Sequence, residues 1–150
     1  MTGDLIDGLA AREKLRAASP REIHDMLVSG RGELRQEAIR VVGDRHLTDE
    51  APVLLKMLED PSEVVRDAAL GSLIQLGDRR AVSVLTRSRS LRDSREMRKI
   101  LDAVSVLGGE EALDYLSFVA DSHDDEEVRD LAKAAKTHLE RRMKAGAANP

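Results

Sequence analysis

Four segments of this chain superimpose on one another, and that repetition limits the possible folds more than any other property of the sequence. GELRQEAIRVVG, SEVVRDAALGSL, REMRKILDAVSVLG and EEVRDLAKAAKTHL each set an apolar residue before an arginine: Leu34 before Arg35, Val65 before Arg66, Met97 before Arg98, Val128 before Arg129. The arginines lie 31, 32 and 31 residues apart, and three residues past each stands a small or aliphatic residue, Ala38, Ala69, Leu101 and Ala132. A second helical pattern precedes each copy. Ala51 and Leu55, Ala81 and Leu85, and Ala112 and Leu116 repeat an apolar pair four residues apart, while Ile23 and Leu27 stand where Leu54 and Leu58 stand one repeat later. A single helix pair cannot bury its apolar stripe alone, so the copies must stack and share a core.

The residues between the helices agree. Asp60-Pro61-Ser62-Glu63 reads as an N-cap, a proline at the first helical position and a capping-box glutamate. Asp93 with Glu96, Asp124 with Glu127, and Ser19-Pro20 with Glu22 repeat the device. Gly30, Gly43, Gly77 and the Gly108-Gly109 pair fall where helices should stop. Nowhere do β-branched residues alternate as a strand requires. The expected organisation is an N-terminal capping helix in residues 1–18, four repeats over 19–143 (about 19–45, 48–77, 79–108 and 110–143), and a flexible tail at 144–150. The last helix, about 124–143, would turn Val128, Leu131, Ala132, Ala135, Leu139 and Met143 inward.

Composition then removes whole classes of function. The chain has no cysteine, so disulfides, thiolate metal sites and cysteine nucleophiles are excluded. Tyr115 and Phe118 are its only aromatics, which counts against base-stacking platforms and flat cofactor pockets. A formal charge of −4 counts against generic nucleic-acid binding. No apolar run approaches the roughly 20 residues of a membrane span, and the first residues lack a signal-peptide pattern, so the cytoplasm is the default expectation.

The stretch LEDPSEVVRDAALGSLIQLGDRRAVSVL resembles a HEAT repeat, particularly the short bacterial form found also in phycobilisome-lyase-like proteins. The resemblance covers roughly residues 19–140. It implies an all-α, α-α superhelical solenoid of about four helix pairs plus the N-terminal helix. It also implies a hydrogen-bonded ladder between repeats, formed by an aspartate before each second helix and the arginine behind that helix's first apolar residue. Asp60 with Arg66 fits the pattern, and Asp93 with Arg98 and Asp124 with Arg129 fit with one residue fewer. The first copy departs, with Gly30 in the aspartate's place. Family solenoids bind along the concave face made by the second helices. That implies Gln36, Arg40, Asp67, Gly71, Lys99, Asp102, Asp130 and Lys133 as candidate binding positions, with Gly71 and Ala103 allowing close approach.

Other constellations read as structural. His24, His46, His123 and His138 lie in different repeats, none at i, i+3 or i+4 from another, and the acids of Ser122-His123-Asp124-Asp125-Glu126-Glu127 suit the positive end of a helix dipole, with Asp124 as its cap. Neither a metal site nor a cofactor site is expected. No nucleophile elbow or phosphate-binding glycine loop is present, so no enzymatic activity is expected.

Charge is more informative. Residues 79–99 are basic, with Arg87, Arg89, Arg92 and Arg95 as a candidate patch, and residues 110–130 are acidic with Arg129 the one exception. Such blocks steer and select partners. The expectation is a non-enzymatic adaptor or accessory subunit that binds another protein, or a second copy of itself, with Tyr115 and Phe118 as one rim anchor. The alternatives implied by the resemblance are a nucleic-acid-binding solenoid, disfavoured by charge, and a lyase-like protein handling a tetrapyrrole, disfavoured by the missing aromatics.

Overall fold

The computed structural model describes residues 2–87 and 93–148, with side chains from residue 8 onward. Its elements are α1 (Thr2–Ala17), α2 (Pro20–Ser29), α3 (Gly32–Asp44), a 3-10 turn (Thr48–Glu50) leading into α4 (Ala51–Met57), α5 (Glu63–Leu76), α6 (Arg80–Arg87), α7 (Ser94–Leu107), α8 (Glu110–Ser122) and α9 (Glu126–Ala148). No strand occurs among the described residues. The pairs α2/α3, α4/α5, α6/α7 and α8/α9 coincide with the four sequence repeats. The chain divides into two compact units, Met1–Asp78 and Arg79–Pro150, each holding two of these pairs.

In the first unit the second helices α3 and α5 lie side by side, with α2 and α4 packed beneath their respective partners. Ile23, Leu27, Ala38, Ile39, Val42, Leu54, Leu58, Ala69 and Leu73 form its core. Each such leucine or isoleucine contributes roughly 1.5–3 kcal/mol by leaving water. Helix α1 docks on α3, through buried Leu15 and through Arg12 to Glu33 at 2.7 Å and Arg16 to Glu37 at 3.3 Å. Arg45 donates to the carbonyls of Ala18 (2.6 Å) and Arg16 (3.3 Å), placing a cation at the negative end of α1.

In the second unit α7 and α9 lie side by side, and α8 packs under both. Leu85, Met97, Ile100, Leu101, Val104, Leu116, Val119, Val128, Ala132 and Leu139 fill the core. Arg142 donates to the carbonyls of Ser105 (2.6 Å) and Val106 (3.0 Å), and Arg79 to that of Leu107 (3.1 Å), so two arginines close the last turn of α7.

Several sequence expectations are corrected here. The helix after Asp60-Pro61 starts at Glu63. Asp60 instead accepts the Ser62 N–H at 2.9 Å in a local turn, and Pro61 lies outside the helix. The cap of α9 is Asp125, not Asp124. Its Oδ1 accepts the Glu127 N–H at 2.9 Å, while the Asp124 carbonyl is needed by Arg129. Ser19 with Glu22 does form a complete capping box, and Asp93 accepts the Glu96 N–H at 2.8 Å.

Gly43 does not stop α3. It lies inside the helix, where α5 comes so close that an added Cβ would collide with the Gln75 side chain and sit 2.9 Å from the Ser72 Cα. Residues 144–148, expected as flexible tail, continue α9, because Ala145, Ala147 and Ala148 favour helix and no proline or capped glycine interrupts them. Leu131 and Met143 are exposed, not inward, since α9 turns Val128, Ala132 and Leu139 to its core.

A seam open to solvent between the second helices of the C-terminal unit

The arginine column is built differently from the expected aspartate ladder. Arg66 Nη1 donates to the main-chain carbonyls of Asp60 (2.8 Å) and Pro61 (3.0 Å), and Arg129 Nη1 to those of His123 and Asp124 (2.9 Å). Each guanidinium thus ties its own helix to the turn before it, satisfying carbonyls that would otherwise be orphaned. Carboxylates also link neighbouring repeats. Arg35 Nη1 stands 3.9 Å from Asp60, Arg98 pairs with Glu127 rather than with Asp93, and Ser94 donates to Asp125 at 2.7 Å. The first repeat, lacking the aspartate at Gly30, keeps the device. Its Arg35 donates to the Leu27 carbonyl at 3.1 Å and reaches forward to Asp60.

The eight candidate binding positions all fall on the second helices, four in each unit. In the first unit Asp67 and Gly71 are exposed on α5, with open space around Gly71. On α3, Gln36 is half-buried, and Arg40 stands 3.6 Å from the buried carboxylate of Glu37, which Arg16 also contacts. Arg40 therefore helps neutralise a buried acid, a duty to the fold. The seam between α3 and α5 is closed. Ser72 Oγ donates to the Ile39 carbonyl at 2.7 Å, Gln75 donates to Asp44 at 2.9 Å, and Gly43 lets the backbones meet.

The second unit differs at the corresponding place. Counting from the repeat arginines, Val106 of α7 occupies the position of Gly43, and Ala135 of α9 that of Ser72. A valine cannot let the helices meet as glycine does. Ser105 reaches the Ala135 carbonyl only at 3.5 Å, and the seam opens into a groove of about 340 Å³ lined by Asp102, Ser105, Val106, Leu131, Ala134, Ala135 and His138. Arg98 with Glu127 stands toward one end of it, and Arg142 on the α7 carbonyls toward the other. Val106 is 54% exposed and Leu131 36%, so the floor is apolar and wet.

Of the predicted residues only Asp102 lines this groove. Lys99 is half-buried nearby on α7, and Asp130 and Lys133 pair with each other at 3.4 Å on α9. Ala103 is buried and offers no close approach to a ligand. Val106, Leu131, Ala134 and His138 were missed. The signal for Val106 was present, since it puts an aliphatic residue in register with Gly43; Leu131 was hidden by its i+3 spacing from Val128, which reads as core. In the basic patch, Arg87 is exposed on α6 and donates to the Ser83 carbonyl at 3.0 Å, and Arg95 is exposed on the first turn of α7. Arg89 and Arg92 lie outside the described residues.

A second, larger depression of about 720 Å³ lies in the first unit between α1 and α2. Leu15, Met26 and Leu34 form its floor, with Lys14, Glu22 and Asp25 at its edges. Among the described residues no three His, Asp or Glu side chains converge as a metal site would need, and no helix is long and apolar enough to cross a membrane.

The family model for HEAT repeats matches residues 21–105, more than half of the chain. The chain belongs to the HEAT-repeat family. Its fold is an all-α HEAT-type solenoid, and HEAT repeats generally mediate protein–protein interaction. No curated protein matches the sequence.

Proposed function

We propose that this HEAT-repeat chain is a non-enzymatic adaptor or accessory subunit that receives a segment of a partner protein on the second-helix face of its C-terminal unit. The groove between α7 and α9 carries the reading. It combines two exposed aliphatic side chains, Val106 and Leu131, with a carboxylate at Asp102 and an imidazole at His138. About 340 Å³ is at the small end of ligand pockets. This groove is shallow and lacks an aromatic anchor. It suits one or two aliphatic side chains offered by a peptide or helix, with the polar pair fixing their register.

Such a contact is modest in affinity by itself, because tight interfaces usually centre on a buried aromatic or arginine. The lining supplies no arginine or lysine for a phosphate backbone and no phenylalanine, tyrosine or tryptophan to stack on a tetrapyrrole, so neither alternative gains support from it. Affinity capture from the native cell, followed by mass spectrometry, tests the reading. Leu131→Glu and Val106→Glu should each remove the partner that the parent chain retains, whereas Arg87→Glu, on another helix, should not. Retention of the same partner by both groove variants would refute the assignment.

A further inference from the structure

In a chain almost without aromatics, the one phenylalanine is 67% exposed. Helix α8 buries Ala112, Leu116, Val119 and Ala120, and turns Phe118 to water with the half-buried Tyr115 one turn before it. The exposed residues around this ring are Glu111, Asp114, Asp121 and Ser122. Glu111 accepts from Ser83 and Thr86 of α6, and Ser122 caps back onto the Phe118 carbonyl. Asp114 and Asp121 make no ion pair among the described residues. They stand seven residues apart, about 10.5 Å along the helix, with Phe118 between them. Helix α8 has four acidic residues and no lysine or arginine.

We propose that this outer face of α8 docks an arginine-rich segment of a partner protein. A guanidinium stacks on the Phe118 ring, and cations one turn to either side meet Asp114 and Asp121. Phe118, with the half-buried Tyr115 one turn before it, gives this acidic face an aromatic centre. The negative face of an aromatic ring attracts a cation, arginine most often. Carboxylates at both flanks raise the local concentration of cations and repel anionic partners, nucleic acid included. The site is on the layer of first helices, away from the α7–α9 groove, and stands or falls independently of it.

The test is a titration of the full chain with a twelve-residue arginine–alanine peptide bearing a central leucine, followed by backbone amide shifts. Saturable shifts confined to residues 110–122 are expected, weakening as salt rises from about 50 to about 300 mM. The peptide with glutamate for arginine should give none. Phe118→Ala should weaken binding at least about fivefold, Phe118→Trp should preserve it, and Asp114→Asn with Asp121→Asn should weaken it at low salt. Val106→Glu should leave it unchanged. These side chains are exposed, so the variants should keep the parent far-ultraviolet spectrum.

Affinity unchanged by Phe118→Ala would overturn the proposal in favour of unspecific attraction. So would shifts mapping elsewhere, or none. Concentration-dependent dimerisation without peptide, lost in Phe118→Ala, would overturn it in favour of a second copy as the occupant.

Discussion

Replacing Gly43 by valine tests the account of why one seam is sealed and the other open. Glycine is about 1 kcal/mol worse than alanine inside a helix and valine up to about 0.7, so helix propensity alone favours the substitution by a few tenths of a kcal/mol. Packing opposes it. The new Cβ would meet the Gln75 side chain, which can swing away, and the Ser72 Cα at 2.9 Å, which cannot move without α5. The two γ-methyls then have no free volume. Overpacking of this kind costs about 1–3 kcal/mol, and displacing α5 also lengthens the buried bond from Ser72 to the Ile39 carbonyl, worth about 1 kcal/mol.

The expected net loss is therefore about 2–3 kcal/mol. For a chain of this size that is a fall in Tm of roughly 4–12 °C. Urea and thermal unfolding followed by helical circular dichroism would measure it, with an unchanged urea slope showing that stability, and not compactness, has changed. Gly43→Ala is the control. It brings the same Cβ against the Ser72 Cα without the two γ-methyls, so it should lose stability, but less than Gly43→Val, its propensity gain of about 1 kcal/mol offsetting part of the contact. The reasoning is refuted if Gly43→Val is as stable as the parent within about 0.5 kcal/mol, for then the helices do not approach at the spacing that Gly43 is said to permit.

Two further outcomes concern titrating groups. His24 Nδ1 donates to Glu50 at 2.8 Å, and that hydrogen bond with the carboxylate's charge raises the imidazole above its ordinary 6.5. The folded state therefore binds the proton more tightly than the unfolded one. The stabilisation is complete below the unfolded pKa and lost as pH rises through the higher folded value. Urea midpoints should fall between about pH 6 and 8, and His24→Ala should flatten that slope; a slope that persists would place its origin elsewhere. Asp125 is held below the usual carboxylate range by the Ser94 hydroxyl first and by the Glu127 and Val128 amides of α9. Its contribution is present above its unfolded pKa and lost as pH falls through the lower folded one. Asp125→Ala should lower Tm by a few degrees at neutral pH and Asp124→Ala should not; the reverse order would restore Asp124 as the cap.

Much of the fold was legible because a helix pair writes its period into the sequence. Arg35, Arg66, Arg98 and Arg129 mark equivalent turns, each near the start of the second helix of a pair. The errors came from details that period does not encode. A run of acids such as Asp124-Asp125 offers two candidate caps, and only the carbonyl demand of Arg129 selects between them. The ladder arginines looked like partners of aspartate side chains because sequence shows side chains and hides the carbonyls that two of them bind in their own turns. The site was less legible still. Position just past the repeat arginine put Asp102 among the candidates, but an open seam depends on how closely two helices approach, and that distance is set by pairs of residues far apart in sequence.

At corresponding positions the first unit has Gly43, Ser72 and Gln75, which close the backbone contact with two hydrogen bonds, and the second has Val106, Ala135 and His138. The valine of the second set is more than half exposed, as is Phe118 on the opposite layer. Each leaves apolar surface in water at a cost of roughly 25 cal/mol per Å² relative to burial. A repeat that merely needed to stack could keep the glycine register of the first unit and a polar residue at 118. Val106, which departs from the register of Gly43, and the exposed Phe118 are therefore the positions where substitution should cost binding more than stability, and Gly43 the position where the order is reversed.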